Sequence, residues 1–410
     1  MHIAFLNRSY YPDTAATGQL LTELCEDLVR EHGFRVSVVA GPPLLPSSRE
    51  PITKATGGLF GREQRNGVEI FRARGTTFSK SRFTGRATNY VSYFFSACWA
   101  GLRLDRPDVI VALTDPPIIG LAGWLASKRF RAPLVMAYQD LFPEVTVLLP
   151  DFHSPTINAG LQTVNRFLCR RAERVVALGE TMRARLIENK GAPAERTTII
   201  PSWADTTAIQ PGPKANAFSE RNGLTDKFVV MHSGNLGLSQ NLEYIVDAAA
   251  LLTDLRDLRV VFQGEGVSKA SLESRAAKLG LSNVLFLPFA PKERLGESFA
   301  AADAFVLSLQ RGMAGYIVPS KLYGILAAGR PYVAAVEDSC EVAAITARCE
   351  CGLIAEPANA QSLAEQIRAL YRDRDLRTRL GANARAASVQ FDRAVQVNRY
   401  TDLFRSLTAA

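Results

Sequence analysis

One pattern governs this chain: a short apolar run followed by a helix-length amphipathic segment. It repeats, breaks once, and resumes. Ile3–Leu6 reads as a strand, and a polar loop runs on to Gly18. The next segment places Leu20, Leu21, Leu24, Leu28 and Val29 near a 3.6-residue spacing, as a buried helix face requires. His32-Gly33 stops that helix, and Arg35–Ala40 is the second strand. Asp108–Ala112, Leu134–Ala137, Arg174–Leu178 and Thr198–Ile200 follow as strands. The segment Pro201–Asn216 contains Pro201, Pro211, Gly212 and Pro213, has no periodicity, and reads as a linker. The alternation then restarts with strands Phe228–His232, Leu258–Gln263, Val284–Leu287, Ala304–Leu309 and Tyr332–Ala335. Helices are expected at Leu242–Leu252, Ser268–Leu279 and Lys321–Ala328.

Repeated strand–helix–strand order implies a parallel sheet with helices on both faces. A chain of 410 residues exceeds one core, so two such α/β domains are expected, with a cleft between them. The expected boundaries are 1–205, 206–390, and a C-terminal helix over 391–410 that packs back on the first domain. In such sheets ligands bind beyond the carboxyl ends of the strands.

The apolar fraction of 47% and charged fraction of 21% suit a globular chain. The formal charge of +8 is uneven: Arg62 to Arg131 holds twelve Lys/Arg against five Asp/Glu. Such a patch attracts acidic lipid headgroups, phosphorylated substrates or nucleic acid, or is simply a solvated face. No nucleic-acid-reading motif accompanies it. The six cysteines stand mostly alone, and Cys349-Glu-Cys351 lacks the second ligand pair of a zinc site. No D-x-D metal signature is convincing, because Asp373-Arg374-Asp375 lies in the polar helical tail. The N-terminus has no basic region before its apolar run, and no run reaches the roughly 20 residues of a membrane span. The expected location is cytoplasmic, soluble or on a membrane surface.

Five segments can carry chemistry. Ser233-Gly234-Asn235-Leu236-Gly237 ends a strand and precedes a helix. Its glycines let a phosphate approach backbone amides. Arg311 to Gly324 follows another strand; Ser320 lies near a helix cap, and Lys321 opposes the helix dipole unless an anion sits there. Lys321 is thus the strongest candidate for the counter-charge of a diphosphate, with a solvated lysine as the alternative. Gly264-Glu265-Gly266 forms either a pocket wall or a tight turn. Asp140 and Glu144 are carboxylates at a strand end; Asp140 suits a general base or a helix cap. Thr14, Thr17 and Gly18 are small residues that can line a second ligand's side of the cleft.

Several stretches recur in a known order. Val175-Val176-Ala177-Leu178-Gly179-Glu180, Ile199-Ile200-Pro201-Ser202-Trp203-Ala204-Asp205, Ser233 to Gly237, Gly264-Glu265-Gly266, Ala302 to Val306 and Ala327-Ala328-Gly329-Arg330-Pro331 follow one another. Together they resemble the retaining glycosyltransferases of the GT-B fold called group 1, or family 4. Asp140-Leu141-Phe142-Pro143-Glu144 and Pro319 to Gly324 look like a subgroup making surface polysaccharides such as lipopolysaccharide, capsule or colanic acid. The resemblance departs at two places. Tyr316 and Gly324 stand where the family usually has glutamates, the second commonly holding the ribose. Ser239-Gln240 stands where a basic residue often follows the glycine turn.

The resemblance implies a nucleotide diphosphate sugar as co-substrate, UDP-linked before GDP-linked, and no other cofactor or metal. Its acceptor would be a hydroxyl of a saccharide on a polyprenyl diphosphate. The catalytic candidates are Lys321, Arg311 and Asp140. The donor candidates are Ser233, Gly234, Asn235, Leu236, Gly237, Gln240, Gly264, Glu265, Gly266, Tyr316, Ser320 and Leu322. The acceptor candidates are Thr14, Thr17, Gly18 and Glu144. The basic, aromatic stretch Arg72–Arg106, with Phe78, Tyr90, Tyr93, Phe94, Phe95 and Trp99, suits docking on an anionic membrane. A sugar-nucleotide epimerase and a catalytically silent nucleotide-binding subunit are the rival readings.

Overall fold

The structure is a computed structural model that describes residues 1–13, 15–43, 59–76, 78, 83–148 and 154–408. The chain divides into two compact units, Met1–Pro201 with Gln396–Ala410, and Ser202–Val395.

The first unit holds one eight-stranded sheet in the order β3-β4-β2-β1-β5-β6-β7-β8. Its strands are β1 (His2–Leu6), β2 (Arg35–Ala40), β3 (Phe60–Arg65), β4 (Val68–Ala73), β5 (Val109–Ala112), β6 (Leu134–Ala137), β7 (Arg174–Ala177) and β8 (Thr197–Ile199). All neighbours pair in parallel except β3 with β4. Strands β1, β5 and β6 are buried along their whole length. Continuous apolar runs of this kind are what a sheet covered on both faces demands. The β3–β4 hairpin was not anticipated. It turns on Asn66-Gly67, both at positive φ (47° and 82°), the residue pair that fits a two-residue hairpin turn. The C-terminal helix Arg393–Thr408 joins this unit from Gln396 onward, and the Phe404 ring packs edge-on to Phe5 with centroids 6.1 Å apart.

The second unit holds a six-stranded, all-parallel sheet in the order β11-β10-β9-β12-β13-β14. The strands are β9 (Phe228–Ser233), β10 (Leu258–Gln263), β11 (Val284–Leu287), β12 (Ala304–Ser308), β13 (Tyr332–Ala335) and β14 (Gly352–Ala355). Its core joins Val230, Phe262 and Val306 of the sheet to Ile245, Leu272 and Ile367 of the flanking helices.

The Pro201–Asn216 segment is not a free linker. Trp203 and Ile209 are buried, Ala204 N donates to Phe391 O (3.2 Å), and Arg330 Nη2 donates to Gly212 O (2.9 Å). Proline and glycine here mark a chain pinned by backbone bonds, a use that composition does not separate from a linker.

Each sheet has one switch point, where the chain stops adding strands on one side and begins on the other. It lies between β1 and β5 in the first unit and between β9 and β12 in the second. Loops leaving adjacent strands diverge there, which opens a crevice at their carboxyl ends.

Candidate functional site

In the second unit the turn after β9 meets the turn after β10, backbone against backbone. Gly234 has φ +127° and Gly264 φ +151°, values that side chains rarely adopt. A Cβ on Gly264 would lie 1.9 Å from Gly234 O, and one on Gly266 would lie 2.3 Å from Leu236 O. Gly234 N donates to Gln263 O (2.9 Å), Leu236 N to Glu265 O (2.9 Å), and Ser268 N to Leu236 O (3.0 Å). Ser233 Oγ adds a bond to Gln263 Oε1 (3.3 Å). The glycines therefore exist first to interlock the two turns. This narrows the expectation that a phosphate approaches the amides of this turn, since those of Gly234 and Leu236 are already used. Among the described residues, the Asn235 and Gly237 amides donate to no backbone carbonyl. Leu236 is fully buried and Asn235 is exposed.

Lys321 arrives from the other side of the switch point. It opens the helix Lys321–Ala327 after β12. Its Nζ lies 2.9 Å from His232 Nε2 and 2.9 Å from Gln240 Oε1. An added Cβ on Gly234 would sit 3.5 Å from this Nζ, so the ammonium lies against the glycine turn. Burial lowers Lys321 to about 7. His232, at the end of β9, is only 1% exposed, and its Nδ1 lies 3.3 Å from Val306 O. Burial, then the Lys321 charge, drives its pKa well below the usual imidazole range. The ring is therefore neutral: Nδ1–H donates to the Val306 carbonyl, and Nε2 accepts from Lys321. His232 escaped the sequence reading, because one histidine closing an apolar strand looks like any buried histidine.

The other donor candidates scatter. Arg311 Nη2 bonds Glu356 Oε1 (2.5 Å) with both side chains more than half exposed. Glu356 follows β14, at the edge of the sheet, while the neighbouring Gln310 N donates to Ser239 O (2.9 Å). The Leu322 side chain is fully buried in the core rather than lining a pocket. Ser320 does not cap its helix, since its backbone is already helical (φ −62°, ψ −23°) and no side-chain cap bond forms. Glu265 is exposed and takes Lys269 Nζ (2.7 Å). Tyr316 is half-buried in the turn after Gly315, its N donating to Met313 O (3.0 Å).

At the first unit's switch point, Arg8 follows β1 and Asp115 follows β5. Arg8 Nε lies 3.1 Å from Asp115 Oδ1, and Ser9 Oγ donates to Asp115 Oδ2 (2.6 Å). Asp140, after β6, is half-buried, and no donor reaches its carboxylate among the described residues. Burial, then the Asp115 charge, raises Asp140 to about 6. A carboxylate so placed suits proton transfer near neutral pH. Arg8 and Asp115 were not singled out from sequence, because they share a site only through the β1–β5 pairing. Gly18 is buried, and an added Cβ would lie 3.4 Å from Tyr10 N, so the loop after β1 packs directly on it. Thr17 is half-buried in the first turn of the helix Ala16–Arg30. Thr14 lies outside the described residues.

Glu144 does a different job from the one expected. Both its carboxylate oxygens accept from Lys190 Nζ (2.8 Å each), and Lys190 has no exposed side-chain surface. A buried ammonium needs a full set of acceptors, and Glu144 supplies its charge balance rather than an acceptor contact.

The aromatic stretch also sorts itself. Tyr93 is 1% exposed and donates to Val39 O (3.3 Å), and Arg72 is tied to Glu63 (2.5 Å); neither faces solvent. Val91, Phe95, Trp99 and Leu102 are exposed at helical spacing along Phe83–Gly101 and just past it, and the Arg103 guanidinium lies 4.0 Å from the Trp99 ring centroid. The neighbouring helix Ile119–Phe130 contributes exposed Leu125, Lys128 and Arg129. Among the described residues no helix is long and apolar enough to cross a membrane, and no group of three or more His, Cys, Asp or Glu is placed to hold a metal.

Comparison with known proteins agrees with this layout. The family model "Glycosyl transferases group 1" matches residues 214–387, and "Glycosyl transferase 4-like domain" matches residues 16–203. WcaI of Escherichia coli strain K12, a glycosyl transferase named for colanic acid biosynthesis, is 26% identical over 382 residues, covering 90% of this chain and 91% of that protein. WbjE of Pseudomonas aeruginosa, also named as a glycosyltransferase, is 28% identical over 290 residues, covering 69% and 70%. In fold, the crystal structure of Anabaena HepE in complex with UDP and glucose matches with a TM-score of 0.74 at 21% identity, covering 99% of this chain and 100% of that one. With one domain model on each unit and a parallel Rossmann-like sheet in each, the chain belongs to the group 1 glycosyltransferases of the GT-B fold.

Proposed function

We propose that the protein moves a sugar from a nucleoside diphosphate sugar to a hydroxyl of a polyprenyl diphosphate-linked saccharide in surface polysaccharide assembly. UDP is the favoured nucleotide and GDP the second choice. The observation that carries the reading is the Lys321 ammonium, held by His232 and Gln240 against the Gly234 turn at a switch point. The name of WcaI, which speaks of colanic acid biosynthesis, supports the polysaccharide setting, and the UDP and glucose in the HepE structure support a UDP-linked donor.

The chemistry follows from charge. As the glycosidic bond breaks, the leaving diphosphate gains negative charge. A fixed cation with the Asn235 and Gly237 amides beside it stabilises that state more than the ground state. No metal is required. The second unit takes the donor, and the first takes the acceptor, with Asp140 orienting its hydroxyl or taking its proton late. Configuration at the anomeric carbon is retained.

The acceptor's lipid carrier places the protein at the inner face of the cytoplasmic membrane. The exposed Val91, Phe95, Trp99 and Leu102 stripe supports this, because it is flanked by Arg103, Lys128 and Arg129, and neither helix carries a carboxylate. Apolar side chains between cations suit an anionic headgroup layer.

The test is an assay of UDP- and GDP-sugars with and without a polyprenyl diphosphate-linked saccharide. The expected result is acceptor-dependent release of nucleoside diphosphate, an acceptor heavier by one sugar, and a retained anomeric configuration by NMR. Conversion of the nucleotide sugar without acceptor would identify an epimerase instead. Binding without turnover over a broad acceptor panel would identify a silent subunit.

A further inference from the structure

We propose that His232 is a positioning residue for the donor diphosphate. It holds Lys321 Nζ in one place against the Gly234 turn, and through that contact makes donor binding depend on proton uptake. The inference rests on the reading of Lys321 as the diphosphate's partner.

The geometry allows little else. An ammonium has three N–H donors. One goes to His232 Nε2 and one to Gln240 Oε1, both at 2.9 Å, which leaves the third for a ligand. His232 cannot turn away, because it is buried in the sheet and its other nitrogen is engaged by the Val306 carbonyl. The groups facing the ammonium are therefore an imidazole from β9, an amide from the turn Leu238–Gln240, and the glycine turn itself. No carboxylate forms an ion pair with Lys321 among the described residues. The protein's own groups thus offer this cation only neutral acceptors, in a place where burial already favours the uncharged amine. A diphosphate supplies the missing counter-charge. Above neutral pH its arrival draws one proton from solvent onto Nζ, and the ligand's negative charge then holds that proton in place. His232 Nε2 remains an acceptor throughout and never carries the proton itself.

The experiment is isothermal titration with UDP-glucose, whose diphosphate has no ionisation near neutrality, or with GDP-mannose if UDP-glucose does not bind. It is run from pH 6 to 9 in buffers of different ionisation heat. Wild type is expected to take up a proton on binding at pH 8 and to lose affinity as pH rises above about 7. His232→Leu removes the acceptor; it should weaken binding about ten- to a hundredfold and move the onset of that loss to lower pH. His232→Gln restores an acceptor oxygen and should bind and titrate nearly as wild type, with thermal unfolding checking both folds. Unchanged affinity and pH profile in His232→Leu would overturn the inference. So would equal weakening in both variants with the pH onset unmoved, since that is a packing effect alone. Wild-type affinity in Lys321→Ala, or no binding of either probe to wild type, would instead remove the donor-site reading beneath it.

Discussion

At the residue scale, the proposed chemistry rests on two side chains, Lys321 and Asp140, whose environments set their charge states. Replacing Lys321 by Ala removes the cation that lies against the Gly234 turn. Turnover should fall about a hundred- to a thousandfold, the usual loss for a preorganised transition-state donor, while circular dichroism shows an intact fold; unchanged kcat/KM would remove Lys321 from the mechanism. Asp140 is a test by pH. Its carboxyl is raised to about 6, so kcat/KM should decline as pH falls through that value. The stability sign is opposite. A raised folded-state value means the folded chain binds more protons than the unfolded one between about 6 and 3.8, so the ionised group destabilises the fold at neutral pH. Asp140→Asn should therefore raise the Tm at pH 7, with the gain shrinking as pH approaches 4, and should abolish the acidic limb of the rate profile. Lys321 was legible in the sequence as a candidate, because a lysine in the first turn of a helix after a strand is locally unfavourable, and the structure does place it at that helix start. His232, Arg8 and Asp115 were not, because their roles depend on partners 89 and 107 residues away.

At the scale of elements, the glycine turns are scaffolding, interlocked backbone against backbone. Gly264→Ala would press a methyl group into Gly234 O and strain a backbone at φ +151°. The expected result is loss of donor binding together with a lower Tm; a stable variant with normal binding would show that the interlock is dispensable. The Glu144–Lys190 pair makes the reverse prediction. Glu144→Ala strands a buried ammonium and should cost roughly 2–3 kcal/mol in denaturant unfolding, discounted because Glu144 is partly exposed, with the acceptor KM unchanged in the folded fraction. The strands of both sheets were largely legible, since runs such as Val229–Met231 and Val109–Ala112 bury every side chain. The β3–β4 hairpin was missed because its strand Phe60–Arg65 is mostly polar and has no fully buried residue, and the Asn66-Gly67 signal lay inside a stretch dominated by its basic charge. The Arg311–Glu356 pair was not legible either, because sequence proximity to Lys321 does not reveal a partner 45 residues on.

At the scale of the whole molecule, the net positive charge concentrates in the first unit, while exposed apolar side chains occur in both. If the Phe83–Gly101 face meets the membrane, sedimentation with vesicles rich in anionic lipid should retain the protein at low salt. A Phe95→Ala, Trp99→Ala pair should release it without changing nucleotide affinity, whereas equal retention by both proteins would assign that face to another role. The order of strands and helices made the two-unit α/β plan legible, and the ordered motifs made the family legible. The identity of donor and acceptor was not, because pocket shape arises from loops whose conformation depends on contacts distant in sequence. The most direct test of the central claim is a structure determined with a bound nucleoside diphosphate. The account predicts a phosphate oxygen within about 3 Å of Lys321 Nζ, a hydrogen-bonding distance, and the Asn235 or Gly237 amide on the same diphosphate; a diphosphate bound away from both would contradict it.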